Sequence, residues 1–224
     1  MTLKIDWATH EAAKYACENF HYSESIPVGK LVKVGAWEND KFIGVVIFGR
    51  GSNHNIGKPY NLEQIECIEL VRIALTKHVS TVSKIMMLAI RFLKKQSKGI
   101  KLIVSYADPE QGHHGGVYQA TNWIYVGVSG SSEKCLYKGK WVHKRTVDSM
   151  YGNHKGFTTK KVCGKYTYLM PLDNDMKQKL TKLSRPYPKR VSSIDSDAVS
   201  FQETEGSASL TDTLQKGGKD EKNT

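Results

Sequence analysis

Residues 69–95 read ELVRIALTKHVSTVSKIMMLAIRFLKK. The first part belongs to Gln64–Leu75 (QIECIELVRIAL), whose alternation and β-branched content predict a strand. The period then changes. Ile85, Leu88, Ala89, Phe92 and Leu93 fall at helical spacing, with Lys84, Arg91, Lys94 and Lys95 off that face, so an amphipathic helix is predicted over Thr81–Gln96. Gly99 is expected to end it as a C-cap glycine. Ile100–Tyr106 follows as an apolar strand. A strand, a helix and a strand at this spacing make one crossover between parallel strands.

Working outward, the other segments read as antiparallel structure. Ala8–Phe20 is predicted as a helix, with Thr9 as N-cap and Ala12, Ala13, Ala16 and Phe20 along one face. Leu31–Trp37 and Phe42–Phe48 form a hairpin around the turn signal Glu38-Asn39-Asp40. The Gly- and Asn-rich stretch Gly49–Pro59 is a loop. Gly115–Trp123 reads as a second, shorter helix, and Ile124–Val128, Lys134–Val142 and Val162–Leu169 as further strands. One crossover amid antiparallel strands predicts an α/β (α+β) fold, a mixed, mostly antiparallel sheet flanked by helices. A dinucleotide-binding fold needs repeated crossovers, and one alone is legible.

Composition sets the domain limits. Of 224 residues, 39% are hydrophobic, which excludes a wholly disordered chain. The folded domain is expected to span 1–182. The tail 183–224 is rich in Ser, Thr, Gly, Asp and Lys, without apolar periodicity, and is expected to be disordered. No apolar run approaches the ~20 residues of a membrane helix, and the N-terminus carries no secretory signal. The expectation is therefore a cytoplasmic protein with no membrane partner. Cys17, Cys67, Cys135 and Cys163 form no CxxC pair and are expected as buried thiols. The net charge is +11, and the tail has six basic against seven acidic residues, leaving +12 on the first 182 residues. Such a field attracts polyanions.

Four constellations carry candidate chemistry. Ser80, Thr81 and Ser83 stand at the start of the crossover helix: they either cap it or, with their N–H groups, hold an anionic donor or a reacting carbonyl. No glycine lies between Lys77 and Ser83, so a glycine-rich diphosphate cradle is not expected. In the stretch 105–127, SYADPEQGHHGGVYQATNWIYVG, Asp108 follows a buried strand directly, where α/β sheets gather functional groups. It either caps the turn at Pro109 or faces the cleft, and Tyr118 either covers the core or serves the site. Arg72, inside an apolar strand, requires a partner. That partner is either Glu66 or Glu69 in a core salt bridge, or a phosphate or carboxylate in the cleft. Finally, residues 133–170 carry nine Lys or Arg against two acids, interleaved with aromatics. Lys144, Arg145, Lys160, Lys161 and Tyr151 are the candidate nucleic-acid contacts, through phosphates and base stacking. The bland alternative is a solvated sheet face with its aromatics turned inward.

HYSESIPVGK (residues 21–30), ELVRIAL with the Ser/Thr-rich helix start, and SYADPEQGHHGGVYQATNW occur in an order that resembles the Mom family of phage DNA-modification proteins. The resemblance covers about residues 10–170, and its third block is the most specific. It implies a GNAT (acetyltransferase-like) fold and an acyltransferase that converts adenine in double-stranded DNA to N6-(carbamoylmethyl)adenine, an anti-restriction modification. Position by position it implicates His21, Tyr22, Arg72, Ser83, Asp108 and Tyr118. It also implies iron, with His21, Tyr22 and Asp108 as ligands. An activated glycyl donor fits the product, either a glycyl-tRNA, which would add tRNA as a partner, or an acyl-CoA-type thioester. A homodimer is an assembly to be tested. The alternative is a small-molecule or protein N-acetyltransferase using acetyl-CoA; a non-catalytic DNA-binding protein would explain the charge but not Arg72, Asp108 and Tyr118 together.

Overall fold

A computed structural model describes residues 2–50 and 55–189. The elements run β1 (Leu3–Trp7), α1 (His10–Phe20), β2 (Leu31–Glu38), β3 (Lys41–Gly49), β4 (Cys67–Leu75), α2 (Val82–Gln96), β5 (Leu102–Ala107), α3 (Gly116–Gln119), β6 (Ile124–Val128), β7 (Ser132–Tyr137), β8 (Lys140–His143), α4 (Lys144–Tyr151), β9 (Thr159–Val162), β10 (Tyr166–Pro171) and α5 (Asn174–Thr181). Seven strands form the main sheet in the order β1-β2-β3-β4-β5-β10-β6, and β8-β7-β9 form a small second sheet. In the main sheet only β4 and β5 run parallel. The expected fold class holds, a mixed, mostly antiparallel sheet flanked by helices, with β10 inserted between β5 and β6.

Strand alternation builds the layers. On β3, Val46 and Phe48 face α2, together with Leu70, Ile103, Trp123 and Tyr168. Val45 and Ile47 face the other way, onto Ala13, Ala16 and Cys17 of α1. Small residues on α1 let its backbone lie close to the sheet. Met176 and Leu180 of α5 cover Cys67, Leu102, Val104 and Leu169 on that same side. The helix α2 buries Ile85, Met86, Ala89, Ile90 and Leu93. At roughly 1.5–3 kcal/mol for each fully buried large side chain, that stripe outweighs any propensity term. Thr9 and Thr81 cap α1 and α2, accepting from Ala12 N and Lys84 N. No helix among the described residues is long and apolar enough to cross a membrane.

Several elements differ from expectation, each for a local reason. Ser97, not Gly99, ends α2, donating its N–H to Leu93 O at 2.8 Å. Lys134–Val142 is not one strand: Lys138 and Gly139 both take positive φ (47° and 76°) and fold it into the β7–β8 hairpin. Val162 and Leu169 belong to different strands in different sheets. The helix at 115–123 stops at Gln119, and Asn122 turns the chain at φ 59°. The strand β1 and the helices α4 and α5 were not expected. Cys17, Cys67 and Cys135 are buried, whereas Cys163 is exposed.

The compact unit runs to Pro188, six residues past the expected boundary. Residues 183–188 lie along β6: Arg185 N–H donates to Tyr125 O (2.8 Å), and the Tyr187 hydroxyl donates to Trp123 O (2.7 Å). The remainder of the expected disordered tail, from residue 190, lies outside the described residues.

Candidate active site

Parallel pairing between β4 and β5 lasts three residue pairs: Cys67↔Leu102, Ile68↔Ile103 and Glu69↔Val104. The strands then part. Against β3, Arg72 pairs with Ile47 and Leu70 with Phe48, so Val71 is an extra, bulged residue. A bulge bends its strand and re-aims its side chains, here at the point of divergence. Parting would leave the Leu70 carbonyl unpaired in the core. Ser105, 1% exposed, supplies the missing donor through its hydroxyl at 2.8 Å.

Above that point lies a cavity of about 530 Å³. His21 and Tyr22 reach it from the end of α1, Arg72 from β4, Tyr106 from β5, His113 and His114 from the following loop, and Tyr118 from α3. Four of the residues picked out in the sequence, His21, Tyr22, Arg72 and Tyr118, are thus brought together from separate parts of the chain. The loop carrying the two histidines is pinned: Tyr168 donates its hydroxyl to His114 O at 2.6 Å. Gly115 sits at φ +85°, and a Cβ there would stand 2.3 Å from the Tyr168 ring. Only glycine fits that approach.

Electrostatics give these groups distinct states. Burial, with help from Arg72 and His113, pushes the His21 imidazole down to about 4, so the ring is neutral near pH 7. Its Nδ1 lies 3.2 Å from the Ser23 amide nitrogen and 2.9 Å from Ser23 Oγ, and a ring proton on Nε2 satisfies both contacts. Ser105 has a single hydroxyl proton, already given to Leu70 O. The 2.8 Å contact between Ser105 and Tyr118 therefore has the phenol as donor. Burial raises the Tyr118 hydroxyl to about 12 and keeps it neutral.

Arg72 donates to Ser25 O, while its buried Nε has no partner. Among the described residues it makes no ion pair: Glu66 instead binds Lys101 at 2.5 Å. Glu69 stands at the last parallel pair, and burial lifts its carboxyl to about 7, only partly offset by Lys165. Neither glutamate named from the sequence as its core partner forms an ion pair with Arg72 among the described residues.

The remaining candidates stand outside the cavity lining. Asp108 caps the turn at Pro109–Gln111, accepting from Glu110 N at 3.1 Å, and its other oxygen binds Lys165 at 2.9 Å. Ser83 donates to the hydroxyl of the capping Thr81 at 3.0 Å. Ser80 is buried, and its N–H and that of Val79 donate to the Glu38 carboxylate at 2.6 and 2.9 Å. Nothing in the sequence of a hairpin turn flags Glu38 for such a role. Tyr106 and His78 also line the cavity without having been singled out.

The ligand set implied for iron does not fit. His21 and Tyr22 line the cavity, whereas Asp108 stands outside its lining, with one oxygen taken by Glu110 N–H and the other by Lys165. No group of three His, Cys, Asp or Glu among the described residues is arranged to hold a metal ion.

The basic segment forms its own layer. Lys144 pairs with Glu133 at 2.6 Å, and Lys160 lies 5.0 Å over the Trp141 ring and 3.7 Å from Glu110. Arg145 is the second residue of α4, its N–H donating to Nδ1 of the capping His143, while Lys161 is exposed on β9. Tyr151, 53% exposed, shares an aromatic cluster with Tyr137 and Phe157. The aromatics are therefore not turned fully inward.

The Mom protein family matches residues 2–189. The chain belongs to that family. The methylcarbamoylase Mom of Escherichia phage Mu is 25% identical to this Mom-family chain over 205 residues, 84% of each protein. Among solved structures, an aminoglycoside acetyltransferase in complex with coenzyme A matches at 9% identity and a TM-score of 0.46, covering 81% of this chain and 98% of its own. A GNAT-family acetyltransferase from Streptococcus pneumoniae matches at 11% and 0.44, covering 77% and 100%.

Proposed function

We propose that this Mom-family chain is a DNA-modifying acyltransferase that converts adenine in duplex DNA to N6-(carbamoylmethyl)adenine, using an activated glycyl donor. The observation that carries the reading is the gathering of His21, Tyr22, Arg72 and Tyr118 around one cavity where the central strands part. The relative from phage Mu, a methylcarbamoylase by name, supports the same product.

The target base must leave the duplex to enter such a cavity. Arg72, a cation without a carboxylate partner among the described residues, suits a phosphate beside the extruded nucleotide. Tyr118, its proton committed to Ser105, has oxygen lone pairs that can accept an adenine N6–H and hold the amine for attack. His21 offers an Nε2–H donor to the oxyanion formed at the acyl carbonyl. In the first step N6 attacks the glycyl carbonyl, and the donor's carrier leaves with the proton. The freed glycyl amine then attacks C6, and the original N6–C6 bond breaks. The product carries CH2–CO–NH2 on its new N6, a net addition of one glycyl unit with loss of the protonated carrier.

Lys144, Arg145, Lys160, Lys161 and Tyr151 form the proposed duplex contact, by charge and by exposed aromatic surface. Asp108 and Ser83 act as positioning residues, ordering the loop after β5 and the start of α2. Nucleosides from cells expressing the protein test the reading: an adenosine heavier by about 57 Da is expected, the mass of a covalently added glycyl unit. Unmodified adenosine alongside folded, expressed protein overturns it.

A further inference from the structure

The small sheet contains a pairing that its own strands leave unbalanced. In register, Lys134 of β7 stands opposite Lys160 of β9, so two ammonium side chains share one face. Like charges directly opposite each other destabilise a sheet. The anion that relieves them comes from another part of the chain. Glu110, in the turn after β5, binds Lys134 through Oε2, and its Oε1 stands 3.7 Å from Lys160 Nζ. At 28% and 24% exposure, Glu110 and Lys134 are better shielded than an ordinary surface pair. Asp108, two residues earlier, makes a second tie at 2.9 Å to Lys165, just before β10. The turn itself is rigid. Gln111 and His113 both donate their N–H groups to Asp108 O at 3.1 Å, and Gly112 donates to Pro109 O at 2.9 Å. His113 lines the cavity and meets Tyr22 edge-on, with 5.6 Å between ring centroids. A displacement at Glu110 is therefore passed to His113.

The geometry points to Glu110 as a positioning residue: it ties the basic sheet to the cavity loop and so sets where a duplex held by that sheet lies relative to His113. Glu110 also competes with phosphate for Lys134 and Lys160. Its removal consequently has two effects of opposite sign. Duplex affinity rises, because two cations are released. Modification falls, because the extruded base no longer meets the site in register; a misplacement of about 1 Å can cost on the order of a hundredfold. A residue that merely stabilised the fold would lower both together. The catalytic half of this inference rests on the acyl-transfer reading above. The tie between sheet and loop does not.

Three measurements on the full chain test it. Wild type, Glu110→Gln, Lys134→Glu and the exchanged pair Glu110→Lys with Lys134→Glu are compared for affinity toward a short adenine-containing duplex, for modified adenosine in cellular DNA per soluble protein, and for amide hydrogen exchange over residues 111–116. Glu110→Gln should bind the duplex at least as tightly as wild type and modify DNA at least about tenfold less. Its loop amides should exchange at least about tenfold faster, because local opening loses its restraint. The exchanged pair keeps one acid among two bases and should recover modification to within about threefold of wild type, whereas Lys134→Glu alone should not. Loop exchange equal to wild type in Glu110→Gln would overturn the inference. So would weaker duplex binding by that variant, normal modification by it, or a folded exchanged pair that stays as impaired as Glu110→Gln. Unmodified adenosine with wild type would sink the proposed reaction alone, and the exchange and affinity measurements would still decide the tie.

Discussion

Glu69→Gln should stabilise the protein at pH 8 and have almost no effect near pH 4.5. The glutamate sits on β4 at the last residue pair before the strands part, and burial raises its carboxyl from 4.5 to about 7. A raised carboxyl means that the folded state binds its proton more tightly than the unfolded state does. Below pH 4.5 both states are protonated, and nothing is lost. Between 4.5 and about 7 the unfolded chain has released the proton while the folded one still holds it, so stability falls as pH rises; above 7 the loss is complete. At roughly 1.4 kcal/mol per pKa unit, the shift from 4.5 to about 7 amounts to roughly 3 kcal/mol. Glutamine has the same shape and no proton to lose, so the variant escapes that decline. Urea denaturation of both proteins at pH 4.5, 6 and 8 measures it, since the difference between them cancels every other titrating group. A stability difference that stays constant from pH 4.5 to 8 would refute the reasoning, and would mean that Glu69 is solvated or fully matched by Lys165.

Three further outcomes follow from the geometry. A chain ending at Leu183 should unfold at lower urea than one ending at Lys189, because it loses the hydrogen bonds of Arg185 and Tyr187 to β6 and its flank, each worth about 1 kcal/mol; equal midpoints would make the contact incidental. Asp108→Asn keeps an acceptor for Glu110 N–H and loses only the Lys165 ion pair, so activity should fall less than tenfold, against the roughly hundredfold or more of a lost acid or base. A loss on that larger scale in a stable variant would return Asp108 to the chemistry. Replacing Lys144, Arg145, Lys160 and Lys161 with Ala should weaken duplex binding and lower its salt slope by roughly 2–4, at about 0.9 per phosphate contact. An unchanged slope would remove this face from the DNA interface.

The crossover was legible because its two periods are strong: alternation to Leu75, then a helical stripe ending at Leu93. The cap at Thr9 and the hairpin turn at Asn39-Asp40 were legible from local chemistry alone. The strand β1 was not, since LKIDW is short and half polar, and its burial comes from pairing with β2. The β7–β8 turn escaped notice because Lys138, a residue with no turn preference, adopts the left-handed conformation beside Gly139. At the site, sequence blocks located His21, Tyr22, Arg72 and Tyr118, but not their states. Those depend on Ser23, Ser105 and Leu70 O, contacts set by where the strands part. Glu38 and Glu69 were legible only as a turn residue and as a partner for Arg72. Their actual surroundings arise from tertiary packing, to which no spacing rule points.

The insertion of β10 between β5 and β6 has a consequence for how the chain is made. Ribosomes deliver β5 early, yet its partner on that side, Tyr166–Pro171, lies at the far end of the unit. With roughly 60 residues in between and synthesis at about 5–20 residues per second, the β5 edge waits some 3–12 s for its neighbour. During that interval Leu102, Ile103 and Val104 present apolar side chains and open hydrogen-bonding groups together. A nascent chain interrupted before Tyr166 would therefore carry an unprotected central strand, making the second half of translation the period in which this protein most needs a chaperone.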